Sequence, residues 1–463
     1  MIQAPRTSIV ASVLALLLLA LSARVAVQMQ PSSFKAFYCG GRSVLDGVNP
    51  YAIEPLRECE HRVAAAALPP YAVEPAPLPG YALVPWALVA TLAPAPALWL
   101  YFAILVLALA STSWAIGKLA ALDPALVALS LFAVWFLNVS FNELPPIATA
   151  GIALAALMLA QRRPWLAALA AGAVAIEPHL ALPLWISLFC FAPSLRLPLI
   201  SVGAALALAD LAIGGPATAL GYFAQTLPAQ AFSEVYANDQ YSLTHLAAAA
   251  GVGASTALRI GVVSYLLMAG AGIVTAQRIA RQSGSEYLAL VPPAFVLVGG
   301  TFLHDIQFMA ALPLALVLLG RTPAPNRVVA VAAILLAVAW NEATSRFFLL
   351  LSATSAFVTA WIAFPKSARR VAVCASVAVV AAVMVVAVNR LPAAPGAPLL
   401  DPPAAAALAP GDQAARAWSL YVTSSPALST PTARTFARKL PTWTGACLLA
   451  AFCIAYGRRR PAS

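Results

Sequence analysis

A chain of 463 residues that is 62% hydrophobic and 9% charged carries more apolar surface than a single soluble core can hide. Its net charge of +11 lies in short basic clusters between apolar runs, with no basic stripe interleaved with aromatics, which excludes a nucleic-acid surface as the reason for the charge. The expected fold is an all-α, polytopic membrane bundle, with the basic clusters as topology signals held on the cytoplasmic side.

The first apolar run, residues 8–28, lacks a small-x-small cleavage site before the polar loop and reads as a retained span, with Arg6 on the cytoplasmic side. Residues 29–95 read as an outer loop, with a polar stretch at 34–61 and a Pro-rich link, "PPYAVEPAPLPGYALVPWALV", that enters an interfacial helix. A multi-span core covers 96–388, with apolar runs near 97–117, 121–138, 146–160, 164–178, 180–193, 197–214, 257–277, 287–303, 306–320, 327–342, 347–364 and 370–388. A Pro- and Ala-rich outer loop follows over 389–440, with a surface helix near 412–421, and a last span at 441–457 leads into the tail ending at 463. Several runs fall short of a full crossing, so about 10–14 spans are expected.

"QRRP" (161–164), "QRIARQ" (277–282), "RTPAPNR" (321–327), "PKSARR" (365–370) and "GRRR" (457–460) then face the cytoplasm, as do both termini, and the expected location is the plasma (inner) membrane. Arg434, Arg438 and Lys439 break this pattern, because they lie on the outer side. Apart from Asp123 and Glu286, nearly every carboxylate also falls on the outer side, together with all four histidines. Ionisable residues beside apolar spans are costly and mark function, so an outward-facing polar cavity is expected there. Cys39 and Cys59 share the outer loop, where a disulfide persists if the two residues meet; spacing alone leaves that open. The other four cysteines fall in apolar runs and read as packing residues.

No phosphate-cradling glycine loop, His-Glu-x-x-His or zinc-spaced cysteine pair is present. The candidate catalytic acids are Glu177, Asp305, Asp46 and Glu54. The candidate binding residues are Tyr38, Arg42, Tyr51, Glu143, His179, Asn238, His245 and His304, with Trp340 a further candidate for a sugar platform. Each has a plainer reading. Asp46 suits a turn before Gly47, Glu54 to His61 a solvated helix face, Glu143 a cap for the next span, and the aromatics an interfacial belt. Glu177 between two long apolar runs is harder to explain without a partner, and His304 with Asp305 reads as an orienting pair.

"FKAFYCGGRSVLDGVNPY", "NELPPIATAGIALAALMLAQRRPWLAALAAGAVAIEPH", "NDQYSLTHL" and "LHDIQFMAALPLAL" resemble, in that order, the segments of glycosyltransferase family 87. The resemblance covers roughly residues 34–319 and is weak in each piece. It implies a membrane transferase that moves a mannose-like hexose from a polyprenyl-phosphate carrier to a lipid or glycan acceptor on the non-cytoplasmic face. Its implied partners are that donor, the acceptor and membrane lipid, with no nucleic acid. No cofactor is implied, and a divalent metal is not required because the donor leaves as a lipid phosphate. The family's first-loop aspartate, its expected general base, aligns with Ser33; its Lys-Pro lysine aligns with Glu177 and its Gly-Gln glutamine with Glu143. Either the base has moved or the chain binds without catalysing. The alternative functions are a transporter or flippase, with charges strung across the bundle, and a non-catalytic polyprenyl-phosphate-binding relative.

Overall fold

A computed structural model describes residues 5–28, 32–63, 72–321, 326–341, 345–364, 369–392, 413–424 and 432–458. Of the basic clusters, Lys366, Arg459 and Arg460 lie outside them, as do Glu342, Asp401 and Asp412. Among the described residues the chain is helical throughout, with only two isolated β-bridges.

Among the described residues eight helices are long and apolar enough to cross a membrane. They are α1 (Pro5–Gln28), α5 (Pro94–Ala120), α6 (Pro124–Phe141), α10 (Arg196–Gly221), α13 (Ala254–Ser283), α17 (Arg346–Ala363), α18 (Arg370–Arg390) and α20 (Ala433–Gly457). The expected count was higher because six apolar runs were read as spans that the structure builds as shorter helices. These are α7 (Pro145–Ala160), α8 (Pro164–Val174), α9 (Pro178–Phe191), α14 (Tyr287–Val296), α15 (Leu312–Arg321) and α16 (Arg327–Ala337). Proline is the main cause: Pro145, Pro164 and Pro178 each open a new helix, a position where the missing N–H costs nothing.

The region read as an outer loop holds three helices, α2 (Ser32–Leu45), α3 (Ile53–Val63) and α4 (Gly80–Val89). Gly40 and Gly41 made α2 hard to recognise, since glycine weakens a helix. Their reason is packing: a Cβ on Gly41 would stand 2.3 Å from the Trp86 carbonyl carbon, so α2 lies backbone to backbone on α4. The Cys39–Cys59 disulfide, with Cα atoms 5.7 Å apart, ties α2 to α3. Over residues 72–79 the Pro-rich link runs without regular structure, and Tyr51 Oη donates to Leu78 O (2.8 Å) while Tyr222 Oη donates to Pro77 O (3.0 Å). Asp210, the mid-span charge of α10, accepts the Tyr81 N–H (3.0 Å) and so caps α4 from a neighbouring helix.

Helices α6, α7, α14 and α15 form the enclosed centre. The flanks of α1, α10, α13 and α18 expose Leu16, Leu17, Leu208, Leu266, Val379 and Val383, a surface suited to lipid. The bundle has two chemically distinct poles. At one, Arg321 donates to Leu119 O (2.8 Å) and Ser283 O (3.3 Å) and pairs with Glu286, while Ser283 and Tyr456 meet at 3.0 Å. Asp123 at the same pole caps α6 through the Ala125 N–H (2.8 Å). Both acids that stood on the basic side in the sequence thus have local partners. The other pole gathers most of the remaining described acids.

Candidate functional site

The acid pole is built where helices end. α6 stops at Asn142, in the left-handed conformation (φ 59°), with Glu143 N–H bonded back to Asn138 O (2.9 Å). Tyr101 Oη fixes this turn from α5 by donating to Glu143 O (2.7 Å). Glu143 does not cap α7, whose first turn lacks a side-chain cap; its carboxyl points to Ser33 Oγ, 2.6 Å away. Ser33 Oγ also lies 3.0 Å from Glu74 Oε1, on the Pro-rich link. Buried Lys35, two residues further along α2, reaches Glu74 Oε2 at 3.4 Å. Glu60 on α3 accepts the Glu74 N–H (3.2 Å).

Glu177 occupies the short turn between α8 and α9. Gln307 donates to its Oε2 (3.2 Å), and His179 Nδ1 stands 3.5 Å from the same oxygen. Gln307 in turn accepts the His304 N–H (2.8 Å), closing the turn that starts the 3₁₀ segment Asp305–Ala311. Burial raises Glu177 to about 8 and Glu143 to about 7, because a carboxylate held away from water loses hydration; Gln307 and Ser33 respectively pull these values back.

His304 is oriented by Asp239, whose Oδ2 lies 3.2 Å from Nδ1. This corrects the His304–Asp305 pairing expected from the sequence. Asp305 turns away, accepting from Asn341 Nδ2 (2.5 Å) and from the Ile306 N–H (2.9 Å). Gln240 sits across His304 and its amide is pinned: Oε1 accepts the Leu303 N–H (2.9 Å), so the NH₂ group faces His304 Nε2 at 2.9 Å. When neutral, the imidazole in this arrangement accepts at Nε2 from Gln240 and donates from Nδ1 to Asp239. Burial disfavours an imidazolium, but the charges of Asp239, Glu234 and Glu143 outweigh it and raise the affinity of His304 for a proton. Asp239 itself is held below the ordinary aspartate range. Its surroundings disfavour the charge, and His304 and Lys439 more than compensate. With its side chain 61% exposed, Asp239 is the most open acid of the group.

Lys439 on α20 is buried and donates to Gln240 O (2.5 Å) over the Tyr241 ring, while Arg438 donates to Asn389. Two of the three cations that broke the charge rule are thus bound, Lys439 at the acid pole and Arg438 at the end of α18. Glu234 accepts from Trp418 Nε1 (2.5 Å) on α19 (Ala414–Ser424) and from Gln230 Nε2 (3.3 Å).

Of the candidates read from the sequence, Glu143, Glu177, His179, His304 and Asp305 gather here, and Asn238 adjoins Asp239 in the chain. Asp46 pairs with Arg42 (3.0 Å) and Glu54 with Arg57 (2.9 Å), both exposed and apart from this group. Tyr38 donates to Leu92 O (2.8 Å), and Tyr51 braces the Pro-rich link. His245 is buried with Nδ1 3.2 Å from Val235 O, holding the 235–245 loop, and Trp340 donates to Leu335 O (2.7 Å). Sequence reasoning missed Lys35, Glu74, Asp239, Gln240, Gln307 and Lys439. Lys439 carried a signal, as a cation out of place for topology.

No group of three or more His, Cys, Asp or Glu suited to a metal ion occurs among the described residues. Comparison of the chain with protein-family models, with curated proteins and with solved structures gives no match. The likeness to glycosyltransferase family 87 therefore rests on its motifs alone.

Proposed function

We propose that the protein is a membrane glycosyltransferase that moves a hexose from a polyprenyl-phosphate carrier to a lipid or glycan acceptor, working at the non-cytoplasmic face. One observation carries this reading: carboxyls, an Asp-oriented histidine and two buried lysines from separate segments converge at a single pole of an apolar bundle. A lipid-linked donor presents its phosphate and sugar at that depth, between the helix ends. Transfer needs a carboxylate base for the acceptor hydroxyl and positive groups near the departing phosphate, and both types stand together here. On this reading an outward-facing cavity opens between the segments carrying Glu143, Glu177, Asp239 and His304.

A transporter would carry charges along the bundle. Asp210, the acid farthest inside a span, is instead committed to the α4 N-terminus. The second reading, a relative that binds lipid phosphate without catalysis, is favoured by Ser33 at the place of the family's aspartate.

The test is release of polyprenyl phosphate from a panel of labelled polyprenyl-phosphate sugars by the protein in lipid nanodiscs, with mixed lipid and glycan acceptors. Glu177→Gln and Asp305→Asn are assayed beside it. Turnover that falls in these variants supports glycosyl transfer. Saturable donor binding without any turnover replaces it with the binding-protein reading, and absence of binding returns the transporter.

A further inference from the structure

A groove of about 650 Å³ lies on the flank of the bundle, away from the acid pole. Four helices wall it, α1, α6, α17 and α18, and all four belong to the long apolar set. Leu126 and Leu129 of α6 are buried and form its floor, whereas Val10 and Leu14 of α1 stand exposed at one lip. Phe357 and Trp361, stacked one turn apart on α17, make another wall. The space arises from side-chain size: α17 and α18 offer Ala353 and Ala378 to it, and an alanine leaves room that a leucine would fill.

The groove has a depth and a polarity. Ala353 and Trp361 are two turns apart, about 12 Å along the helix axis, and Arg370 and Ala378 are spaced equally on α18. It therefore runs inward from one end of the bundle by nearly one leaflet, since half of a bilayer's hydrocarbon is about 15 Å thick. That end is the basic pole, because Leu126 follows Asp123, the cap of α6, by less than one turn. Arg370 opens α18 there. Its guanidinium carbon lies 3.6 Å from the centre of the Trp361 ring, and Nη2 donates to Trp361 O (2.5 Å). Arg370 Nε is buried with no hydrogen-bond partner among the described residues, and Arg369 beside it is exposed. The Asp123 carboxylate is taken up by the Ala125 N–H, and no acid among the described residues pairs with either arginine.

A groove cut between membrane-crossing helices opens into hydrocarbon, so its natural occupant is a lipid chain. Two arginines and the N-terminus of α18 at its mouth add a preference for a negative headgroup. We propose that this groove is a binding site for an anionic phospholipid of the leaflet at the basic pole, with one acyl chain in the groove and the phosphate at Arg369 and Arg370. The lipid then completes the packing of α1, which otherwise rests mainly on α6. The sugar donor of the proposed reaction belongs to the opposite pole, so this site stands whether or not the acid pole transfers a sugar.

The experiment is native mass spectrometry of the full chain, stripped of lipid in detergent and titrated with an equimolar mixture of palmitoyl-oleoyl phosphatidylglycerol and phosphatidylcholine. Wild type is compared with Arg369→Gln, Arg370→Gln and Ala353→Phe. Wild type is expected to retain one phosphatidylglycerol in preference to phosphatidylcholine. Each arginine variant should weaken phosphatidylglycerol binding about fivefold and leave phosphatidylcholine unchanged. Ala353→Phe fills the groove and should remove the retained lipid. Equal retention of the two lipids, a preference kept in both arginine variants, or retention unchanged in Ala353→Phe overturns the proposal. A dimer found in place of bound lipid also overturns it and gives the groove to a second copy. Should Ala353→Phe fail to fold, phosphatidylglycerol with brominated chains decides. In phosphatidylcholine nanodiscs it should quench the part of the fluorescence that Trp361→Phe removes, and equal quenching by brominated phosphatidylcholine overturns the proposal.

Discussion

Asp239 and His304 show how far residue roles depend on contacts that no short motif reveals. Asp305 is the chain neighbour of His304, but successive residues at a helix start point in different directions, so the histidine takes its carboxylate from 65 positions away while Asp305 serves Asn341. Gathering of polar residues at one pole was legible because spans alternate sides. The pairings within that pole were not, because they depend on how separate turns pack. Asp239→Asn removes the main charge that favours the imidazolium, so His304 should titrate at lower pH than in wild type. NMR of ring-labelled histidine would follow this directly, and an unchanged titration would show that Asp239 does not govern His304.

At the scale of elements, the long apolar helices were readable from composition, and α2 was hidden by the same glycines that allow it to form. Gly40 and Gly41 lower helix propensity, yet they let α2 approach α4 closely enough to bring Ser33 and Lys35 beside Glu74. Gly41→Ala places a Cβ against the Trp86 carbonyl group and should destabilise the protein by about 1–3 kcal/mol through overpacking. Thermal unfolding in nanodiscs would measure it, and an unchanged midpoint would mean that α2 can shift at no cost. Proline-started short helices misled the span count because each apolar run looks continuous, although Pro145, Pro164 and Pro178 restart the helix.

The whole molecule is polarised. The histidines and most acids that interact across segments occupy one end, and Arg321 with Glu286 and the turns after α5 and α13 occupies the other. If the positive-inside rule sets orientation, a cysteine at Glu54 should react with an impermeant thiol reagent on intact cells, and one at Arg162 only after the membrane is opened. The opposite pattern would invert the protein and place the proposed chemistry in the cytoplasm.

The Pro-rich strip at 72–79 bears on how such a site is kept in shape without a regular element behind it. Pro75, Pro77 and Pro79 restrict the chain even when it is unfolded, so ordering this ribbon removes fewer conformations than ordering an ordinary loop. Tyrosine hydroxyls from the segment after α2 and the turn after α10 then bond its carbonyls, replacing the partners that a neighbouring strand would give. Glu74 thus rides on a stiff strip fastened at several points, and its backbone is set in place largely by the covalent chain itself.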